Sequence, residues 1–177
     1  MSNFENLKYA VLCASESDNW FDAVYEWRII GCEVDYTCAS KCICGKEQIK
    51  YLFRILNIYN GNVMFPIGSK CIKRFEVDQL SEEVDYYEQL AGLVSATKSN
   101  KFISLDSSLF SRKLLQFLYE RGAFKPSVYN RGSAFNDYKF MLDMFNRRTP
   151  PTNKQDKKIK AIILNHIIPF ARSCIVS

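Results

Sequence analysis

Seven cysteines in a chain of 177 residues are the side chains best suited to chemistry here, and three of them fall at a spacing that suits a metal ion. Cys42 and Cys44 are separated by one residue and followed by Gly45. Cys71 comes 27 positions after Cys44, at the end of Gly68-Ser69-Lys70-Cys71. Two thiolates on one tight turn can present both sulfurs to a single ion, and the glycine after them lets the backbone take positive φ. A second turn must then return a third ligand, and a helix start at Gly68-Ser69 would favour a thiolate at Cys71. A structural zinc site takes four ligands. The fourth is expected from Cys38, which makes a compact C-x3-C-x-C run, with Cys32 as the alternative from further upstream. Four thiolates leave no open position, so the expected Zn2+ is structural rather than catalytic. The isolated Cys13 and Cys174 read as small buried hydrophobes.

Other chemistries find little support. The single histidine, His166, lies between Asn165 and Ile167 in an apolar helical pattern and reads as a satisfied helix residue rather than a general base. The sequence contains no phosphate-binding G-x-x-x-x-G-K-[ST], no G-x-G-x-x-G, no H-E-x-x-H and no G-x-S-x-G. Glu76, Asp78, Glu82, Glu83 and Asp85 crowd the start of a helix, where they complement the dipole and form a solvated face. A cysteine nucleophile at Cys42 or Cys71 would need a base close by. No enzymatic activity is expected.

The elements that must position the cysteines follow from periodicity. Helical spacing marks Asn3–Ala14, with Phe4, Leu7, Ala10 and Val11, and then Asp18–Glu26, with Trp20, Phe21 and Val24 and an N-cap at Ser17-Asp18. Trp27–Val34 changes to strand alternation, Trp27, Ile29 and Gly31 opposing Arg28, Ile30 and Cys32. Tyr36–Cys44 is the cysteine-bearing loop. Gln48–Tyr59 reads as a strand, Asn60-Gly61 as a type I′ hairpin turn, and Asn62–Ile67 as the returning strand, held to an edge by Pro66. Ser69 then caps a short helix, Lys70–Phe75. From Asp78 the pattern is helical: Gln79–Thr97, Ser107–Arg121 with Gly122 at its C-terminal cap, Ser133–Arg148 stopped by Pro150-Pro151, and Lys154–Arg172 with Pro169 a kink. Ser95–Asp106 and Arg147–Lys154 are the candidate linkers. The expected fold is therefore α+β. A small zinc-bound β-hairpin module with N-terminal helices occupies residues 1–78, and a mainly α-helical half occupies 79–177.

Composition places the chain among globular proteins, at 47% hydrophobic and 14% aromatic residues. The polar, acidic start lacks a leader pattern and no apolar run approaches the roughly 20 residues of a membrane span, so a soluble cytoplasmic protein is expected. The net charge of +5 is unevenly spread. Residues 1–40 are acidic, 41–97 are balanced, and 98–177 are strongly basic. Such a half suits a polyanionic partner. Lys46, Lys50, Arg54, Lys70, Lys73 and Arg74, with Lys41, decorate the hairpin, and Tyr51, Phe53 and Tyr59 interleave with them. Arg147, Arg148, Lys154, Lys157 and Lys158 form a second basic cluster around the diproline. Cations of this kind contact phosphates, and exposed aromatics stack on bases.

Glu26-Trp27, Cys42-x-Cys44-Gly45-Lys46, Ile55-x-Asn57, Asn60-Gly61-Asn62 and Pro66-Ile67-Gly68-Ser69-x-Cys71-Ile72 together resemble a zinc-knuckle pattern of the zinc-ribbon and treble-clef kind. It recurs in uncharacterised proteins of phages, prophages and other bacterial mobile elements. The resemblance covers about residues 20–80. Related pieces carry a Cys or His in the strand after the CxCG turn where this chain has Phe53, so its fourth ligand has to be sought upstream. The resemblance implies a bacterial host cytoplasm. The basic clusters, the interleaved aromatics and the lack of a catalytic set lead to the expectation of a non-enzymatic, zinc-stabilised binding protein associating with nucleic acid or a ribonucleoprotein complex. The alternative is an inhibitor or adaptor acting on a host protein target, for example an anti-CRISPR or other anti-defence protein.

Overall fold

The computed structural model describes residues 2–99 and 103–176, so part of the linker expected at Ser95–Asp106 lies outside the described residues. The chain is a mixed α+β protein built on a four-stranded sheet. It divides into two compact units. One runs to Glu88 and takes in the last strand; the other is Gln89–Ser173.

In the first unit, α1 (Asn3–Ala14) starts at Ser2, whose hydroxyl accepts from the Glu5 N–H, and buries Leu7 and Val11. The next helix is shorter than periodicity suggests: α2 is only Trp20–Ala23, followed by a 3-10 turn Val24–Glu26. Its cap is Asn19 rather than Ser17-Asp18, because the Asn19 side chain accepts from the Phe21 N–H. With the helix so brief, Phe21 points outward at 75% exposure instead of joining the apolar face.

The strands are β1 (Trp27–Val34), β2 (Tyr51–Asn57), β3 (Val63–Ile67) and β4 (Ile175–Val176), in the order β3-β2-β1-β4. β2 is antiparallel to both neighbours, and β4, which periodicity missed, pairs parallel with β1. Pro66 lies on the edge strand, as its missing N–H requires. The register slips between Ile29 and Gly31, leaving Ile30 as a bulge. An extra residue reverses side-chain parity downstream. Trp27 and Ile29 point inward before it, and Cys32 and Val34 point inward after it.

The link from β2 to β3 is not a two-residue type I′ turn. Gly61 alone has positive φ, at 76°, and the Gly61 N–H reaches back to the Asn57 carbonyl at 3.0 Å. Asn57 organises this longer loop, its Oδ1 accepting from the N–H groups of Tyr59 and Asn60. A polar clasp then ties the loop and β1 to the end of α1. Asn60 and Asn62 donate to the Ala14 carbonyl, and Trp27 Nε1 donates to Ser15 Oγ. Buried Glu26 accepts from the Glu16 and Ser17 N–H groups, each at 2.8 Å, and from Asn57 Nδ2 at 2.5 Å. Burial pushes the Glu26 carboxyl up. The hydrogen bonds from Asn57, from the Glu16 and Ser17 backbone and from Ser15 outweigh that, and hold it below the usual carboxylate range.

After β3 come α3 (Ser69–Lys73) and α4 (Asp78–Lys98). Phe53 meets Tyr87 edge-on with ring centroids 6.0 Å apart, and Ser69 Oγ donates to Glu88 Oε1 at 2.6 Å. These contacts keep the first turns of α4 with the sheet.

The second unit contains α5 (Arg112–Glu120), α6 (Ala134–Asn146), α7 (Asn153–Ile162) and α8 (Ile168–Cys174). α5 begins later than the expected Ser107, capped by Ser111, and Gly122 takes φ 74° at its end, as the left-handed cap demands. Tyr119 stacks on Tyr138 at 4.8 Å between α5 and α6. Buried Asp137 receives Asn130 Nδ2 at 2.8 Å and Lys158 Nζ at 3.1 Å. A π-helical segment, Ile163–Ile167, joins α7 to α8. Within it, His166 Nδ1 accepts from the Lys125 N–H at 3.1 Å. Among the described residues, no helix is long and apolar enough to cross a membrane. Cys13 is exposed and Cys174 half-buried, so neither is the buried hydrophobe that its apolar neighbours imply.

Candidate metal centre

Three buried thiols converge where the cysteine loop meets the start of α3. The Sγ atoms of Cys42, Cys44 and Cys71 all lie within 4.8 Å of one another and could hold a metal ion. Cys71 Sγ stands 3.6 Å from Cys42 Sγ and 3.4 Å from Cys44 Sγ, with no disulfide between them.

Local backbone geometry brings them together. Gly45 takes φ 90°, the conformation expected of the glycine after the pair. The turn closes through Gly45 N–H to the Cys42 carbonyl and Cys42 N–H to the Lys46 carbonyl, both at 2.8 Å. Ile43 N–H donates to the Pro66 carbonyl at 3.0 Å, fastening this turn to the end of β3 just before Cys71. The hairpin β2–β3 is thus the arm that carries Cys71 back to the other two. Asn6 of α1 adds a tie that no sequence pattern signals, donating to the Cys44 carbonyl at 3.2 Å.

The electrostatics favour one anionic sulfur, at Cys42. The Gly68 N–H points at Cys42 Sγ, 3.3 Å away, and the Lys46 N–H at Cys44 Sγ, 3.4 Å away. Hydrogen bonding with Cys71 first, and then with the Cys44 and Gly68 N–H groups, brings the Cys42 thiol well below the ordinary thiol range against the opposing effect of burial. Cys71 is pushed far up, because its proton is held against Cys42, because it is buried, and because a charged Cys42 sits beside it. Cys42 and Cys71, this close, cannot both ionise without a cation between them, which is the condition a thiolate metal site meets.

The two upstream candidates lie outside this group. Cys38 sits in a loop locked by Asp35, whose carboxylate accepts from the hydroxyls and N–H groups of Thr37 and Ser40. Those bonds hold Asp35 well below the usual carboxylate range and turn Cys38, at φ 54°, against the Asp35 carbonyl at 3.7 Å. Cys32, turned inward by the bulge, pairs with Phe53 and Ile175 in the sheet, and burial pushes its thiol up to about 12.

A cavity of about 460 Å3 opens beside the thiols, with Cys42, Gly68 and Cys71 in its wall and Lys46, Lys50, Lys70 and Lys73 around it. Four lysines singled out by composition are thus brought to one place. Lys73 is paired with Asp85 at 2.6 Å, and Lys50 lies over the Tyr36 and Tyr51 rings. Arg54 is engaged elsewhere, with Glu33 at 3.1 Å and over the Phe65 ring at 4.0 Å, while Arg74 rests on Phe4. Of the three aromatics expected among these cations, Tyr59 is exposed, Tyr51 half-buried and Phe53 wholly buried, so Phe53 offers no stacking face. In the second unit, Arg147 is held by Thr149 and Gln155, and Lys158 by Asp137 and the Phe140 ring. Arg148, Lys154 and Lys157 are exposed.

No family model, no curated protein and no solved structure matches this chain.

Proposed function

We propose that this chain is a non-enzymatic binding protein, stabilised by zinc at Cys42, Cys44 and Cys71, that associates through its basic surface with nucleic acid or a nucleoprotein complex. Zinc suits the donor set, because thiolates hold this borderline-soft ion and need no redox partner. The observation that carries the binding reading is the gathering of Lys46, Lys50, Lys70 and Lys73 around one cavity on the metal module. Exposed Tyr59 adds a face on which a base could stack. The zinc-knuckle resemblance supplies the setting, a mobile-element protein in the cytoplasm of a bacterial host.

The test is binding to a labelled single strand and a labelled duplex as a function of salt. Each phosphate contact contributes a slope of about −0.9 in log K against log salt on duplex and about −0.7 on a single strand. Charge reversal at Lys46 and Lys70 together should reduce that slope by between one and two contacts. A flat salt response in the wild-type protein would sink the reading.

A second reading, contact with a host protein in an inhibitor or adaptor role, is favoured by one observation in the other unit. Val128 and Tyr129 stand 87% and 88% exposed on a 3-10 turn (Val128–Asn130) that carries a Ser127–Asn130 capping box. Capture of a host protein that survives nuclease treatment and is lost on Tyr129→Ala would favour this reading over the first.

A further inference from the structure

We propose that a metal held by Cys42, Cys44 and Cys71 turns its fourth coordination position toward the lysine-lined cavity beside Gly68. There it takes a small anionic ligand from solution, a thiolate in preference to an oxyanion. The inference rests on the metal reading above and departs from a closed, four-cysteine structural site.

The protein itself supplies three donors. Among the described residues, no histidine, carboxylate or further thiol joins the group, and the two nearest cysteines in sequence are committed to the Asp35 carbonyl and to the sheet interior. Zinc completes a tetrahedron, so one donor must come from elsewhere. Position 68 decides where. Gly68 stands three residues before Cys71, the spacing at which paired cysteines serve one ion from a turn. Its backbone is ordinary, at φ −80° and ψ 153°, so no conformational demand calls for glycine. A Cβ placed there would stand 3.5 Å from Ile49 Cγ2 and 4.0 Å from Cys42 Sγ, in unstrained contact. A side chain would fit, and it would stand over the cluster. Glycine keeps that approach clear on the side where Cys42, Gly68 and Cys71 form the cavity wall.

The cavity's charge and size choose the ligand. Four lysines, Lys46, Lys50, Lys70 and Lys73, line the cavity against one carboxylate, Glu88, and Lys46 and Lys70 make no ion pair among the described residues. The rim is therefore cationic. Its volume of about 460 Å3 falls in the range that small-molecule sites occupy. Soft sulfur donors around the ion favour a further sulfur, and a charged tail on that ligand can reach the lysines.

Cobalt substitution reads each part separately. The full chain is loaded with Co2+, its metal content measured after gel filtration, and the visible bands followed while mercaptoacetate, inorganic phosphate or imidazole is added. Mercaptoacetate should intensify the bands to saturation with Co2+ still bound, and phosphate should act only at higher concentration. Lys46→Ala with Lys70→Ala should weaken mercaptoacetate about tenfold without changing Co2+ content. Gly68→Cys should show four-thiolate bands before any addition and no response to the ligand. Four-thiolate bands in the wild type that Cys38→Ser removes would overturn this proposal while leaving the metal reading intact. So would metal-loaded protein that ignores mercaptoacetate. Failure to take up Co2+ would overturn the metal reading and this proposal with it.

Discussion

Replacing Glu26 by Gln should loosen the first unit without touching the cysteines. The carboxylate is 4% exposed and accepts three N–H donors, from Glu16, Ser17 and Asn57. An amide keeps one acceptor oxygen and turns its NH2 toward at least one of those donors. Hydrogen bonds to a charged group contribute about 1.5–3 kcal/mol each, and a stranded buried donor costs a similar amount. The expected loss is about 3 kcal/mol. With a urea m-value of about 2 kcal/mol/M for a domain of this size, the unfolding midpoint should fall by about 1.5 M. The pH dependence carries the sharper test. Glu26 is held below the usual carboxylate range in the folded chain. Its contribution is therefore complete above the unfolded carboxylate pKa and is lost as pH falls through the folded value. The gap between wild type and Glu26→Gln should be constant above about pH 5.5 and narrow in acid. A midpoint shift under about 0.3 M, or a gap that does not narrow, would refute the assignment of the clasp to this carboxylate.

Zinc analysis of purified protein should find about one ion per chain. Cys42→Ser, Cys44→Ser and Cys71→Ser should each lose most of it, whereas Cys38→Ser and Cys32→Ser should keep it, and a chelator should lower the melting temperature of the wild type alone among the three site variants and itself. In the second unit, Asp137→Ala should cost about 2–3 kcal/mol by calorimetry, because one of the two Asn130 Nδ2 protons loses its partner while the other stays on the Lys125 carbonyl, and because Lys158 is released from its 3.1 Å partner.

Much of this architecture can be read from local pattern. The apolar 3.6-residue repeat of α1, the glycine after Cys44, Gly122 after α5 and the diproline after α6 each encode a helix, a turn or a stop within a few residues. The three clustering thiols are legible for the same reason, since a tight turn, a hairpin and a second turn are short-range devices. What the pattern misreads depends on partners far along the chain. Ser69 follows the strand as a cap would, yet its hydroxyl is drawn to Glu88 and Gly68 takes the cap position. Asn60-Gly61 carries a hairpin signature, yet the Asn57 side chain occupies the N–H groups that a two-residue turn would leave free.

The amino-acid sequence by itself determined the α+β order, the hairpin between the cysteine turns and the trio Cys42, Cys44 and Cys71, because each rests on contacts within a turn or between adjacent strands. Only the tertiary structure decided the fates of Cys32, Cys38 and Phe53. One bulged residue turns Cys32 to the inner side of the sheet, Asp35 draws Cys38 aside, and Phe53 is buried against a helix that begins 25 residues later. The same folding gathers lysines from two separate segments, the loop before β2 and α3, around the thiols. Register, parity and burial are properties of the assembled sheet, and no local spacing carries them.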